Sequence, residues 1–326
     1  MSRFILRRLV ITLAALVAVN FLGFAYALIA QRVHQAQNPF GSSVEGWPPI
    51  WRLYAEYVGG ILRGDFGNMP IGLAESVVGA LIKASGASLG LLGLAFTFSL
   101  VLGLLLGVLA VRANPARVSG WLVPLSTAGL AMPSYYIGTV FIVAMIYYLL
   151  GQGKGAPPPL PLQGFGWDLH LVLPTLALMV RPMMQIAQVT AGLLSGELDK
   201  QYITAARSRG NSWGRARWRH ALRNVLAPVV LTVAGSFRLL VGELVLVEWL
   251  FGWPGLGRLL AFSLIAPRLA GPSAVFTDIY FLHPPLVAAL LTVFTFIFLL
   301  ADTLASLIAR ACDPRLRAPE TEGRHG

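Results

Sequence analysis

Residues Ser195 to Pro228 read SGELDKQYITAARSRGNSWGRARWRHALRNVLAP, and the rest of the chain is arranged around this basic stretch. It holds Lys200, Arg207, Arg209, Arg215, Arg217, Arg219 and Arg223, seven of the 25 Lys and Arg residues, between two long apolar runs. The pattern predicts two short helices. Ser195 is placed to N-cap the first, with Glu197 and Asp199 in its first turn, where the helix dipole favours anions, and Gly210-Asn211 as its stop. Leu198, Tyr202 and Ala205/Ala206 then share one face. Ser212 caps the second helix, in which Trp218, Leu222 and Val225 form the apolar stripe, and Pro228 opens the next hydrophobic run. The expected product is a surface helical hairpin with a face of small residues.

Outward from this stretch the composition is that of a membrane protein. Of 326 residues, 56% are apolar and 12% charged, and the mean hydropathy is +0.70, which excludes an ordinary soluble domain. A net charge of +11 would point to nucleic acid in a soluble protein. Here the cations gather in short loops between apolar runs, as membrane topology requires, so nucleic acid is not an expected partner. The lone Cys312 allows no intrachain disulfide and no CxxC metal site, and reads as an inert juxtamembrane residue.

Six crossings account for the pattern. Arg3, Arg7 and Arg8 precede a first span from Leu9 to about Ala30, 22 residues long and so of spanning length rather than that of a signal-peptide core. Pro39, Trp47, Pro48 and Pro49 break structure after it, and Trp51, Leu53/Tyr54 and Val58 suggest an amphipathic interfacial helix. The second span lies in the 28 uncharged residues from Ala84 to Val111, followed by Arg112 and Arg117 on either side of a cytoplasmic turn at Asn114-Pro115. The third runs from roughly Ala128 to Leu150, with Pro133 near its start. An external loop carrying Lys154, Pro157, Pro158, Pro159 and Pro161 leads to the fourth, His170 to about Leu194, which Arg181-Pro182 interrupts. The fifth, Ala227 to about Leu250, holds Arg238 and Glu243, about 140° apart on a helix and therefore not an intrahelical pair. The sixth spans Pro285 to Ala309. Asp302 near its cytoplasmic end reads as a structural hydrogen-bonding residue, and Asp278 and His283 as surface residues of the last external loop. Sixteen cations then fall in cytoplasmic segments against seven outside, so both termini are expected in the cytoplasm.

Arginine facing lipid costs several kcal/mol. Arg181 and Arg238 must therefore meet water, a partner subunit or a counter-ion, and both functional lining and structural pairing satisfy that rule. With Glu243, expected to be the only carboxylate deep in a span, they are candidates for a translocation pathway. No Walker A sequence, HExxH, GxSxG context or His/Cys cluster occurs, so the chain is not expected to be an enzyme, and any energy source must lie elsewhere.

Tyr202-Ile203-Thr204-Ala205-Ala206-Arg207-Ser208-Arg209-Gly210, followed after nine residues by His220-Ala221-Leu222-Arg223-Asn224 and then Pro228, resembles the EAA loop of ABC-importer permeases. The closest variant is that of the dipeptide/oligopeptide/nickel transporter family, in its B-type permease subunit. Thr204 stands where the general pattern has Glu, a departure the peptide-type subfamily shares. Glu248-Trp249-Leu250-Phe251-Gly252-Trp253-Pro254-Gly255-Leu256-Gly257-Arg258 resembles the WPGLG stretch of that family. Its turn signals imply irregular backbone, which a membrane tolerates only where it lines water or protein, so Trp253, Pro254 and Gly255 join the pathway candidates. MSRFILRRLV, LYAEYVGGILRGDFGNM and CDPRLR carry the likeness over nearly the whole chain, although the family's Pro-Gly-Asp-Pro after the first span is missing.

The resemblance implies an all-α integral membrane protein with six transmembrane helices and type I importer permease architecture. Residues 1–83 would form the N-terminal transmembrane helix and an external segment. Residues 84–312 would form a permease core of five transmembrane helices with a coupling loop at 195–227, and 313–326 a cytoplasmic tail. It further implies that Tyr202, Ala205, Ala206, Arg207, Gly210, His220, Arg223 and Asn224 serve ATPase coupling. The implied partners are a second homologous permease, one or two ABC ATPase subunits carrying ATP and Mg, and a periplasmic or lipid-anchored solute-binding protein. No cofactor is expected on this chain, and its place would be a bacterial or archaeal inner membrane. Members of the family handle short peptides, nickel chelates, glutathione and sugars. The residues alone equally allow a basic loop lying on anionic lipid; the resemblance favours docking. The rival class, a self-sufficient secondary transporter or channel, expects inverted repeats and midplane carboxylates, and no repeat is visible.

Overall fold

The computed structural model describes residues 2–36, 48–67, 76–113, 116–152, 157–265 and 280–312. The expectations for Pro39, Trp47, Asn114-Pro115, Lys154, Asp278 and the tail from 313 fall outside these residues, as does the side chain of Cys312. The elements are α1 (Ser2–Ala36), α2 (Ile50–Leu62), α3 (Val77–Leu109), β1 (Val111–Ala113), β2 (Ala116–Val118), α4 (Leu122–Ala131), α5 (Ser134–Gln152), α6 (Val172–Leu198), α7 (Gln201–Ser208), α8 (Trp213–Arg215), a π-helical turn (Ala216–Ala221), α9 (Leu222–Phe251), α10 (Leu256–Leu264) and α11 (Pro284–Cys312). Six helical stretches are long and apolar enough to cross a membrane: Leu6–Ala36, Val77–Leu109, Ser134–Gln152, Leu169–Leu198, Trp213–Phe251 and Pro284–Ile308. They match the six expected crossings. In hydrocarbon an uninterrupted helix is the economical way for such sequences to satisfy their backbone groups internally.

The chain divides into two compact units. The first comprises Met1–Leu91, Gln163–His170 and Leu244–Leu299. In it α2 lies against α1 and α11, with Ile50, Leu53, Tyr54 and Tyr57 packed on Phe24, Leu28 and Ala288. Tyr54 donates its hydroxyl to Asn20 Oδ1 at 3.1 Å, and the Asn20 amide donates to Thr292 Oγ1 at 3.0 Å. The second unit comprises Leu92–Leu162, Leu171–Glu243 and Leu300–Gly326. Its centre is α6, whose most apolar window is 56% buried against 17% for α5. Glycines let neighbours approach it closely: a Cβ on Gly103 would stand 2.8 Å from the Met183 carbonyl oxygen, and one on Gly107 would stand 2.7 Å from Thr190 Cβ, the small-residue packing of membrane helices. The short β-hairpin pairs Arg112 with Arg117 where a simple turn was expected.

Several boundaries differ from the sequence expectation. The third span is broken at Met132-Pro133: Met132 is extended (ψ 120) and ends α4, because proline lacks an N–H and excludes the α conformation of the residue before it. Pro182, by contrast, sits inside an unbroken α6, and Pro228 inside α9. Ser195 does not cap a helix; α6 runs on through it to Leu198, and the Ser195 hydroxyl donates back to the Gly192 carbonyl at 3.0 Å. His283 is half-buried rather than on the surface, with its Nδ1 enclosed.

Candidate functional site

The hairpin is built on the end of α6. Lys200 is extended (ψ 146) and separates α6 from α7. An eight-residue helix does not hold itself in water. α7 is pinned by one apolar side chain, Ile203, which is 1% exposed in a cluster with Leu194, Leu198, Ala216, Ala221 and Val225. Gly210 follows with φ +86, the left-handed conformation that glycine adopts without a Cβ penalty. Asn211 returns its side-chain amide to the Ala206 carbonyl at 3.0 Å. Ser212 caps the next segment as expected, accepting from the Arg215 N–H at 3.3 Å. The Arg207 guanidinium lies 3.8 Å over the Trp213 ring, and Arg217 donates to the Val111 carbonyl at 2.7 Å, which ties the hairpin to β1.

This frame leaves Tyr202, Thr204, Ala205, Arg207, Arg209, Gly210 and Arg223 exposed, with Ala206 and His220 half-buried. Two details correct the predicted faces. Trp218 is 56% exposed and outside the apolar stripe; the π-helical turn rotates the smaller Ala216 and Ala221 inward. Leu198 is buried while Tyr202 is exposed, because the break at Lys200 separates the helices that carry them. Tyr202 and Asn224 are also engaged within the hairpin. Tyr202 donates to Glu197 Oε1 at 2.7 Å, and the Asn224 amide donates to Glu197 Oε1 at 3.0 Å and to the Tyr202 hydroxyl oxygen at 3.1 Å. Partial burial and the acceptor carboxylate push the Tyr202 hydroxyl up to about 12, so it remains a donor across the physiological range. Glu197 therefore sits at the end of a span as a hub, not in a first turn.

Within the second unit, the charged residues predicted inside spans all find partners. Arg181 on α6 is ion-paired with Glu243 on α9, and the same carboxylate accepts from the Ser134 hydroxyl and, at 3.2 Å, from the Ser134 N–H at the start of α5. The helix that begins at the Pro133 break is thus capped by a residue of another helix. Arg238 pairs with Asp302 at 2.8 Å, their side chains 47% and 36% exposed. Structural pairing and surface exposure coexist in both pairs.

In the first unit the turn after α9 is organised by a carboxylate. Glu248, on the last turn of α9, is fully buried. It accepts from the Ser88 hydroxyl at 2.6 Å and from the N–H groups of Gly257 at 2.7 Å and Arg258 at 3.2 Å. Ser88 in turn accepts the Leu256 N–H at 2.8 Å. The first three amides of α10, otherwise orphans, are met by side chains of two other helices. A Cβ on Gly255 would collide with the Glu248 carboxylate, and one on Gly257 would meet Val245 Cα at 2.5 Å. Trp253, expected in the pathway, is wholly enclosed. Its indole donates to the Ala87 carbonyl at 3.0 Å and packs on Phe165 and Trp167, so it braces the turn and faces no solute. Gly255 is likewise buried. Pro254 is exposed and borders a cavity of about 310 Å³ with Lys83, Arg258, Phe262 and Tyr280.

Residues 99–318, which carry the hairpin and both ion pairs, match the family described as binding-protein-dependent transport system inner membrane component. The chain belongs to this family. The permease is 27% identical over 97% of its length to all of a probable peptide ABC transporter permease protein of Sinorhizobium fredii. It is 30% identical over 82% of its length to the dipeptide transport system permease protein DppB of Lactococcus lactis, covering 81% of that protein. To DppB of Escherichia coli it is 27% identical over 81% of its length and 88% of the relative. It is a multi-pass permease subunit of an ATP-binding-cassette importer, and the reading as a self-sufficient transporter or channel falls. Sequence reasoning passed over Ser88, Ser134, Glu197 and Glu248 as working residues of the permease. Only Glu248 carried a signal, its place within the WPGLG resemblance; the others are ordinary residues until the fold brings their partners to them.

Proposed function

We propose that this permease encloses a translocation pathway together with a second, homologous permease, and that its hairpin receives an ATPase subunit on the cytoplasmic side. An external binding protein, periplasmic or lipid-anchored, delivers the solute. Peptides are the favoured class, because the relatives are named for peptides and dipeptides. ATP and Mg belong on one or two ATPase subunits, with no cofactor on this chain. The cation count favours both termini in the cytoplasm of a bacterial or archaeal cell.

One observation carries the docking reading: Thr204, Ala205, Arg209 and Gly210 stand clear of the protein while Ile203 anchors the helix beneath them. A small, basic and firmly backed surface suits close approach by a groove with an acidic rim. Arg181, Arg238, Glu243 and Pro254 keep exposed atoms that suit the pathway or the surface toward the second permease.

Pull-down of the ATPase in detergent tests the docking. Ala205→Glu and Ala206→Glu place a charge in a packed interface, which costs several kcal/mol and lowers association about a thousand-fold. Loss of the ATPase from a folded permease is the expected result. Undiminished recovery with both variants would leave the loop as a lipid-lying segment. Gly210→Glu is a poorer probe than it looks in the sequence, because the φ of +86 strains any other residue there.

A further inference from the structure

We infer that Glu197 is the positioning residue that makes the docking helix move as one body with the transmembrane helices on either side of it. The inference rests on the reading of α7 as the ATPase-docking helix and goes beyond it to how a push on α7 is transmitted.

The argument starts from the backbone. α7 is joined to α6 through an extended residue, Lys200, and is followed by Gly210 at φ +86. Two such breaks flanking eight residues make a link that swivels at both ends. The apolar contact at Ile203 holds the helix down, but a single side chain in a pocket does not fix the helix's direction. Direction needs a second fixed point off the first, and the Glu197 network supplies it. The carboxylate, on the last turn of α6 and 10% exposed, accepts from Lys200 Nζ at 2.5 Å, from Tyr202 of α7 at 2.7 Å and from Asn224 of α9 at 3.0 Å. The additional bond from Asn224 to Tyr202 at 3.1 Å closes a triangle whose corners stand on α6, α7 and α9. A brace across both swivels turns the linkage into a rigid piece.

The donors divide between the two oxygens: Tyr202 and Asn224 both donate to Oε1, and Lys200 lies on Oε2. The two bonds that reach α7 and α9 therefore need one acceptor oxygen with two free sites, which an amide carbonyl also offers. Glutamine at 197 keeps that oxygen and turns its NH2 toward Lys200, so Glu197→Gln should retain the brace that Glu197→Ala removes. Lys200 is the dispensable arm: its side chain is 58% exposed, and exposed ion pairs contribute little.

The test uses the assembled importer with its ATPase in detergent, in a Cys312→Ser background, with spin labels at Gln201→Cys on α7 and Leu226→Cys on α9. Both positions are exposed and outside the network. Pulsed electron resonance should give one narrow interlabel distance without nucleotide and the same distance with ATP. Glu197→Ala should lose the single narrow distance while the ATPase remains bound, Tyr202→Phe should lose it as well, and Glu197→Gln and Lys200→Gln should keep it. Tyr202→Phe added to Glu197→Ala should cause no further loss, since both cut the same network. A distance as narrow in Glu197→Ala as in the parent would overturn the inference, and so would release of the ATPase by that variant, which would make Glu197 part of the docking surface. Failure of the docking reading itself would show separately, as undiminished ATPase recovery with Ala205→Glu and Ala206→Glu.

Discussion

Ser88 and Glu248 lie 160 positions apart and are joined by a hydrogen bond of 2.6 Å that fixes the start of α10. The serine hydroxyl donates to the carboxylate and accepts from the Leu256 N–H. Ser88→Ala therefore removes a donor to Glu248 and leaves a buried N–H without a partner. An unsatisfied buried group costs about 1–3 kcal/mol, so the variant should unfold at a lower temperature in detergent with its spans inserted. Ser88→Thr retains the hydroxyl and should recover part of the loss. Equal melting temperatures for parent and Ser88→Ala would deny the capping role.

Gly255 gives a sharper test of the same arrangement. Its φ is −100, which any residue adopts, so the obstacle to a side chain there is the Glu248 carboxylate and not the backbone. Gly255→Ala should destabilise strongly in the parent and much less in a Glu248→Ala background. The two changes should deviate from additivity by more than about 0.5 kcal/mol, as residues in contact do. Additive melting shifts would show that the glycine is needed for some other reason.

The crossings were legible in the sequence because long uncharged runs leave a membrane chain few alternatives. Helix ends and side-chain partners were not. Pro133 and Pro182 look alike in sequence, yet one ends a helix and the other lies inside one. At Pro133 the following helix gains a cap from Glu243, 109 positions away, whereas Pro182 is enclosed in the most buried span. The end of α6 was misjudged because Glu197 looks like the start of a surface segment. Its bonds to Lys200, Tyr202 and Asn224 hold a charged residue on the last turn of the helix. The helical hairpin at 195–228, by contrast, was legible through local spacing, since the segments it depends on are neighbours in the chain.

Topology has a direct check. In a Cys312→Ser background an impermeant thiol reagent applied to intact cells should label Trp167→Cys, whose parent side chain is 59% exposed, and should leave Arg215→Cys unlabelled until the membrane is opened. Labelling at 215 in intact cells would invert the assignment.

Arg238 and Asp302 form the more open of the two ion pairs in the second unit. Facing lipid, side chains exposed to this degree would be costly. Arg238→Leu or Asp302→Leu alone should lower the yield of complex recovered with the second permease, because each strands a charge. The exchanged variant Arg238→Asp with Asp302→Arg should restore it. Normal yield from both single variants would mean that the pair contributes nothing to assembly.

The pair of Arg181 and Glu243 separates structure from transport. Its side chains are 33% and 15% exposed, and it also holds the first residue of α5 through Ser134. Removing one member of such a pair leaves an uncompensated charge and costs about 3–5 kcal/mol, whereas replacing both by apolar residues of similar size is often neutral for stability. Arg181→Leu and Glu243→Leu should each lower the melting temperature of the assembled importer, and the double variant should recover most of that loss. Transport should not follow stability. If the exposed part of the guanidinium attracts an anionic group of the solute, such as a peptide carboxylate, the double variant will be stable and assembled but poorly active. Arg181→Lys, which keeps the charge and loses the planar fork, should fall between them. A double variant that transports as well as the parent would make the pair purely structural and remove Arg181 from the pathway.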